Sequence, residues 1–288
     1  MTSALFRQAR PKQWVKNLLV FAAPAAAGVL DDPSYLRPAI VMFIAFCMAS
    51  SGTYFWNDLL DAENDRNHPT KQHRPIASGA IPTGIARVVG TILMIAGIAL
   101  AATTRWQAAL VVVGYVLLTS MYSLVLKHVA VVDLIAVAAG FVLRAVGGAV
   151  ATDVQMSKWF SLTISFASLF IVAGKRYAEL RDLGDDARTR PTLDDYSLGF
   201  LRIVLSVSCG ASLVTYCIWA FDTREAAGST FPYYELSIIP MATALLRYTL
   251  ILEQGHGAAP EEIFAHDRVL QVLGLIWLVV FGLGVYVG

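Results

Sequence analysis

The chain has 288 residues, of which 57% are hydrophobic and only 15% charged, with a net charge of +1 at neutral pH. A soluble domain carries about a quarter charged residues, so an ordinary water-soluble globule is excluded, and the near-neutral balance gives no basis for a nucleic-acid partner. Apolar runs recur along the whole sequence, each close to the roughly 20 residues that a bilayer core requires. The expectation is an all-α, polytopic membrane protein whose surroundings are the lipid bilayer.

The first element carries Arg7, Arg10, Lys12 and Lys16, an apolar stretch and the run APAAAG at 23–28, which together imitate a cleavable signal peptide. Lys16 and Asn17 interrupt the apolar run early, so it is read as a retained first helix. Nine helices are expected, near 15–30, 35–58, 83–101, 107–125, 130–150, 156–178, 199–220, 233–253 and 267–287, packed as one bundle in a single domain over 1–288. No Ser/Gly linker or shift of composition divides them. Most links are short; those at 59–82 and 179–198 are long and charged, and 254–266 is intermediate. Cys47, Cys209 and Cys217 lie inside apolar runs without metal-ligand spacing and read as packing thiols.

Basic residues set the orientation, because cytoplasmic ends of membrane helices collect Lys and Arg. With the N-terminus in the cytoplasm, the opposite ends hold only Arg37, Arg105, Lys158 and Arg224, while Arg144 lies within a helix. That arrangement places the C-terminus outside and both long charged loops on the cytoplasmic side of the cell membrane.

The second helix runs into NDLLDAENDRNHPTKQHRPIASG, residues 57–79. If the helix continues, Asp58, Asp61 and Asp65 fall on one narrow stripe with Asn57 beside it. Neighbouring carboxylates repel unless a cation joins them, and oxygen donors without thiols suit Mg²⁺, which commonly shares its shell with substrate phosphates. A solvated helix end is the plain alternative. Lys71 and Arg74 follow as donors to phosphate oxygens; His68 and His73 are open to a zinc reading, to loop packing or to phosphate contact. The second charged loop begins KRYAEL, with Lys175, Arg176, Tyr177 and Glu179 closing the sixth helix and Asp182 and Asp186 beyond it. Asp194 and Asp195 look like the N-cap region of the next helix. Arg144 within AAGFVLRAVGG is costly in a membrane unless it faces a partner or a pocket. An ion pair and an anionic ligand are both open, and Asp133 lies on nearly the same face. Gly147 and Gly148 suggest close helix packing. Asp267 and Arg268 open the last helix, as an ion pair or as part of the polar mouth.

NDLLDAEND resembles the NDxxDxxxD signature of the UbiA-type intramembrane prenyltransferase superfamily, and RPIASG resembles the element that follows it. The resemblance covers essentially the whole chain. It implies nine transmembrane helices, a cytoplasmic-side site open to the bilayer, and acids that hold Mg²⁺ against a diphosphate. KRYAEL departs from the Asp-rich second motif of the aromatic prenyltransferases, with Glu179 in the leading acid position. That feature, the opening RQARPKQWVKN with Lys12 and Lys16, and APEEIFAHDRVLQ at 259–271 are similar to one actinobacterial branch. Its members move 5-phosphoribose from phosphoribosyl diphosphate to decaprenyl phosphate for cell-wall arabinan precursors. The resemblance therefore implies metal contacts from Asn57, Asp58, Asp61, Asp65 and Glu179. It implies substrate contacts from Lys12, Lys16, Asn57, Lys71, Arg74, Arg144, Lys175, Arg176 and Tyr177. The surplus of cations suits a reaction with three phosphate-bearing groups, although basic residues also serve as topology signals. An aromatic prenyltransferase is the nearer alternative. An ion-coupled transporter is the further one, but it would carry its acids at mid-membrane. Small-residue helix faces would permit a homo-oligomer.

Overall fold

The structure, a computed structural model, describes residues 1–67, 71–183, 192–255 and 260–287. Every regular element among them is helical. In chain order these are α1 (Thr2–Gln8), a 3₁₀ segment (Pro11–Phe21), α2 (Ala22–Ala26), α3 (Pro33–Leu60) and α4 (Ala62–Arg66). There follow α5 (Thr83–Ala102), α6 (Trp106–Leu124), α7 (Val132–Ala151), α8 (Lys158–Leu183) and α9 (Leu198–Ala227). The chain closes with α10 (Tyr233–Leu236), α11 (Ile238–Glu253), α12 (Pro260–His266) and α13 (Arg268–Tyr286). Single-turn 3₁₀ helices lie at Lys71–His73, Leu126–His128 and Leu193–Asp195.

The starts of the long helices are written in their caps. Asp32 accepts the Ser34 N–H at 2.7 Å, with Pro33 at the first helical position of α3; Ser197 caps α9 through Phe200 at 3.0 Å; Asp267 caps α13 through Leu270 at 2.8 Å. Each side chain satisfies one N–H that the helix itself leaves unpaired. At the far end of α9, Gly228 takes the left-handed conformation, φ 66°, that closes a helix without a Cβ clash.

Seven helices, with α10 and α11 taken as one, are long and apolar enough to cross a membrane. They correspond to seven of the expected nine, with α9 running on to Ala227 instead of ending near 220. The expected helix at 15–30 is not a continuous α-helix: it is the 3₁₀ segment followed by α2. Pro24 would fall in the interior of a helix over 15–30, where a proline lacks the N–H that the helix needs. The expected helix at 156–178 is present as α8, 26 residues long. Its apolar stretch runs only from Trp159 to Gly174, between Lys158 and Lys175, which is shorter than a bilayer core.

Two compact units emerge from the contacts. The first comprises residues 1–126 with 143–155, the second 127–142 with 156–288. In the first, α3 packs along α5, α5 and α3 along α6, and the 3₁₀ segment along α3. Glycines permit the approach: a Cβ on Gly97 would lie 2.7 Å from the Ala45 carbonyl oxygen, and one on Gly148 would overlap that of Val20. In the second, α8 packs on α9 and α11 on α13, around a core that includes Phe170, Tyr177, Leu201 and Tyr248. Apolar side chains are exposed at helical spacing, as with Val88, Ile92 and Ile95 on α5 and Ile203 and Val207 on α9. Such rows of apolar surface suit contact with lipid.

Candidate active site

In the first unit the acidic motif bends. α3 stops at Leu60, Asp61 takes φ −90° and ψ 2° as its C-cap, and α4 restarts at Ala62. The single straight stripe expected from helical periodicity is therefore corrected to two short helical pieces. Asp58 and Asp65 are nevertheless brought together. One Arg74 guanidinium nitrogen donates to Asp58 at 3.0 Å and to Asp65 at 2.7 Å. Both acids are buried, at 1% and 4% exposure, so neither charge is left to water. Pro75 follows Arg74 and Gly79 turns with φ 79°, and the loop is closed by Arg66, whose Nε donates to the Ala77 carbonyl at 3.2 Å.

Two further donors reach Asp58 from the N-terminal segment. A nitrogen of Arg10 lies 2.7 Å from each carboxylate oxygen, and Gln8 Nε2 donates at 2.7 Å. Arg10 lies over the Tyr54 ring at 4.8 Å, and Ser51 donates to the Ala9 carbonyl while accepting from the Trp14 indole. Asn57 accepts from Ser123 at 2.8 Å. Lys12, expected at the site, is exposed, while Lys16 and Lys71 are half-buried. Arg10 and Gln8 thus touch Asp58 from this segment; neither is among the expected site residues.

Deeper in the same unit, Arg144 is 5% exposed. Its Nε donates to Asn17 at 2.7 Å, another nitrogen donates to the Tyr115 hydroxyl at 3.0 Å, and the guanidinium lies 4.7 Å from the Tyr115 ring centre. Asn17 in turn donates toward Cys47 and Ser50. Gly147 and Gly148 pack as expected, against Phe46 and Val20.

The second unit holds a different buried cluster. Asp133, fully buried, accepts from Arg176 at 3.1 Å, from Thr192 at 3.3 Å and from the Tyr196 hydroxyl. Tyr196 in turn accepts the Val131 N–H at 2.6 Å. Arg176 extends a second nitrogen to Glu179 at 3.0 Å, so the two residues meet one turn apart on α8. Burial, and then the Asp133 carboxylate beside it, push the Tyr196 phenol above its ordinary value. Lys175 is half-buried. Tyr177, expected at the substrate, is turned into the core at 1% exposure and accepts from Arg202, which is itself paired with Glu253. Asp267 pairs with Arg247 at 2.7 Å as well as capping α13; these bonds hold its carboxyl below the usual carboxylate value. The N-cap of α9 is Ser197, not Asp194 or Asp195. His68 and Asp186 lie outside the described residues.

Among the described residues no three His, Cys, Asp or Glu side chains stand together as a ready-made metal site. The donors still fit a hard divalent ion in kind. They are carboxylate and amide oxygens, and a cation, the Arg74 guanidinium, already bridges Asp58 and Asp65.

Residues 18–270 match the UbiA prenyltransferase family. The chain belongs to the UbiA prenyltransferase family. Among its curated relatives, a decaprenyl-phosphate phosphoribosyltransferase of Corynebacterium glutamicum is 39% identical, covering 100% of this chain and 88% of the relative. Another, from Mycolicibacterium smegmatis, is 40% identical, covering 99% and 93%. A solved structure of a UbiA homolog from Archaeoglobus fulgidus, bound to GPP and Mg²⁺, superposes with a TM-score of 0.75 over 99% of this chain and 100% of that one, at 18% identity. That likeness carries the UbiA fold onto the helices described above.

Proposed function

We propose that this UbiA protein transfers 5-phosphoribose from phosphoribosyl diphosphate to decaprenyl phosphate, releasing diphosphate, and so supplies a precursor for cell-wall arabinan. The observation that carries the reading is identity of about two residues in five, along the whole chain, with relatives bearing that activity in their names. In this reading the protein is a single domain in the cell membrane, in which the opening 3₁₀–α2 stretch and α8 complete nine crossings with the seven long apolar helices. The N-terminus and the active site lie on the cytoplasmic side, the C-terminus lies opposite, and a lipid groove opens to the bilayer. It is compatible with a homo-oligomer.

Asp58, Asp61, Asp65 and Glu179, with Asn57 assisting, would hold Mg²⁺. When bound, the ion supplies charge neutralisation for the leaving diphosphate. The remaining work falls to side chains. Lys12, Lys16, Lys71, Arg74, Lys175 and Arg176 receive phosphate oxygens, and Arg74 offers the planar fork that suits them. Arg144 supplies an inner cation on the anionic path. The bond from ribose C1 to the diphosphate oxygen lengthens, C1 gains oxocarbenium character, and a lipid phosphate oxygen attacks from the opposite face with inversion. That nucleophile is already an anion, so no proton has to be removed and no general base is needed.

The test is donor identity. Purified protein given radiolabelled phosphoribosyl diphosphate and polyprenyl phosphate should yield a labelled lipid, and Asp58→Asn or Asp61→Asn should abolish it while membrane insertion persists. A protein that reacts only with prenyl diphosphate and an aromatic acid would overturn the donor assignment. Near-normal turnover in both variants would overturn the metal assignment.

A further inference from the structure

Asp58 has more partners than a resting metal ligand should. Its oxygens accept from Arg10, Gln8 and Arg74, with three contacts at 2.7 Å and one at 3.0 Å. Charge-assisted bonds of this length are strong, and at 1% exposure the carboxylate keeps little capacity for a cation. A divalent ion can reach it only by exchange. Of the two arginines, Arg74 is tied to two acids, whereas Arg10, among the described residues, is paired with Asp58 alone through one nitrogen.

Arg10 also rests in a conformation with a cost. It takes φ 54° and ψ 59°, the left-handed region that a side chain with a Cβ seldom occupies. Its neighbour Gln8 is 1% exposed and leaves its Oε1 without a hydrogen-bond partner among the described residues, a second unfavourable feature of the same strap. Close by, the Tyr54 ring lies 4.8 Å from the guanidinium and offers a cation–π surface that does not depend on the carboxylate.

We propose that Arg10 is a positioning residue that competes with a divalent cation for Asp58 and yields it when cation and diphosphate arrive together. The inference rests on the reading of Asp58 as a metal ligand. Free divalent ion then competes with a guanidinium and binds weakly. Diphosphate gives Arg10 an alternative anion, so metal and diphosphate load as one.

Mn²⁺ titration of the purified full-length protein, followed by the paramagnetic signal of the free ion, tests this without turnover. The wild type should bind Mn²⁺ about tenfold more tightly with inorganic diphosphate than without it, the loss of one charge-assisted bond being worth about that factor. Arg10→Gln should bind Mn²⁺ alone about tenfold more tightly than the wild type. Arg7→Gln, which removes an exposed charge from the same segment, should leave that affinity unchanged. Equal affinity in wild type and Arg10→Gln overturns the proposal, as does an equal gain from Arg7→Gln. If Arg10→Gln does not fold, the wild type still decides: Mn²⁺ binding that diphosphate does not strengthen overturns it. Asp58→Asn should lose Mn²⁺ with or without diphosphate. If it does not, the metal reading fails and takes this inference with it; if it does while Arg10→Gln is silent, only this inference fails.

Discussion

Asp133 shows what a single buried charge commits a chain to. It is fully buried and answered by Arg176, Thr192 and Tyr196, and removing one partner of such a pair costs about 3–5 kcal/mol because the other charge is stranded. Asp133→Asn should therefore lower unfolding stability by roughly 3 kcal/mol, read by thermal unfolding in detergent. A loss under about 1 kcal/mol would mean that the pair is relaxed by water. Tyr196 makes the same cluster sensitive to alkali. Its folded value is raised above the ordinary 10.0 by burial and by Asp133. The associated stability is therefore complete below pH 10 and is lost as pH rises through the raised value. Tyr196→Phe should flatten that alkaline limb; an unchanged limb would assign it to another group. Sequence pattern found Asp58 and Asp65 because both lie in one short motif. It associated Asp133 with Arg144 along one helix, whereas the observed partner, Arg176, comes from a different helix 43 residues away. Arg10 reaches Asp58 across 48 residues, a pairing that only tertiary structure creates.

At the scale of elements, the reading of nine helices rested on length and apolar composition, and those two properties decide where a bilayer helix can form; seven of the nine are long apolar helices. The departures come where local chemistry opposes them: Pro24 in the opening stretch, and charges that shorten the apolar part of α8. The opening stretch is held instead by contact. The Val20 carbonyl occupies the space that a side chain at Gly148 would need, and Val20 is itself fully buried. Because the obstacle is backbone, Gly148→Val should displace the 3₁₀ segment at a cost of about 1–3 kcal/mol. Protease access to the N-terminal segment reports this directly, and unchanged cleavage would show that α7 can shift without it. Gly114 is the matched control, since nothing among the described residues lies within 4 Å of a Cβ there.

For the whole molecule, the fold class was legible because composition and hydropathy act over the full chain, and the family because NDLLDAEND and RPIASG are contiguous words. The division into two compact units was not legible. It cuts through α7, so that residues 132–142 pack with one unit and 143–151 with the other, and no turn or linker marks the place. Orientation is a whole-molecule property that cysteine labelling can check. In a background with Cys47, Cys209 and Cys217 replaced, a cysteine at Thr103 should react with an impermeant maleimide in intact cells. One at Ser78 should react only after permeabilisation, since both positions are exposed. The reverse pattern would invert the topology drawn from the basic residues.

The Asp133–Arg176 pair also has a temporal meaning. Protein synthesis delivers α7 first, and 43 residues must follow before Arg176 exists; at about 5–20 residues per second that is an interval of roughly 2–9 seconds. Throughout it, the acid on the first turn of α7 is denied the cation that makes its burial tolerable. It must stay hydrated at the translocon or the membrane surface until α8 emerges. Maturation of this helix is thus governed by its successor, and a ribosome halted between the two would leave α7 unable to reach its native depth.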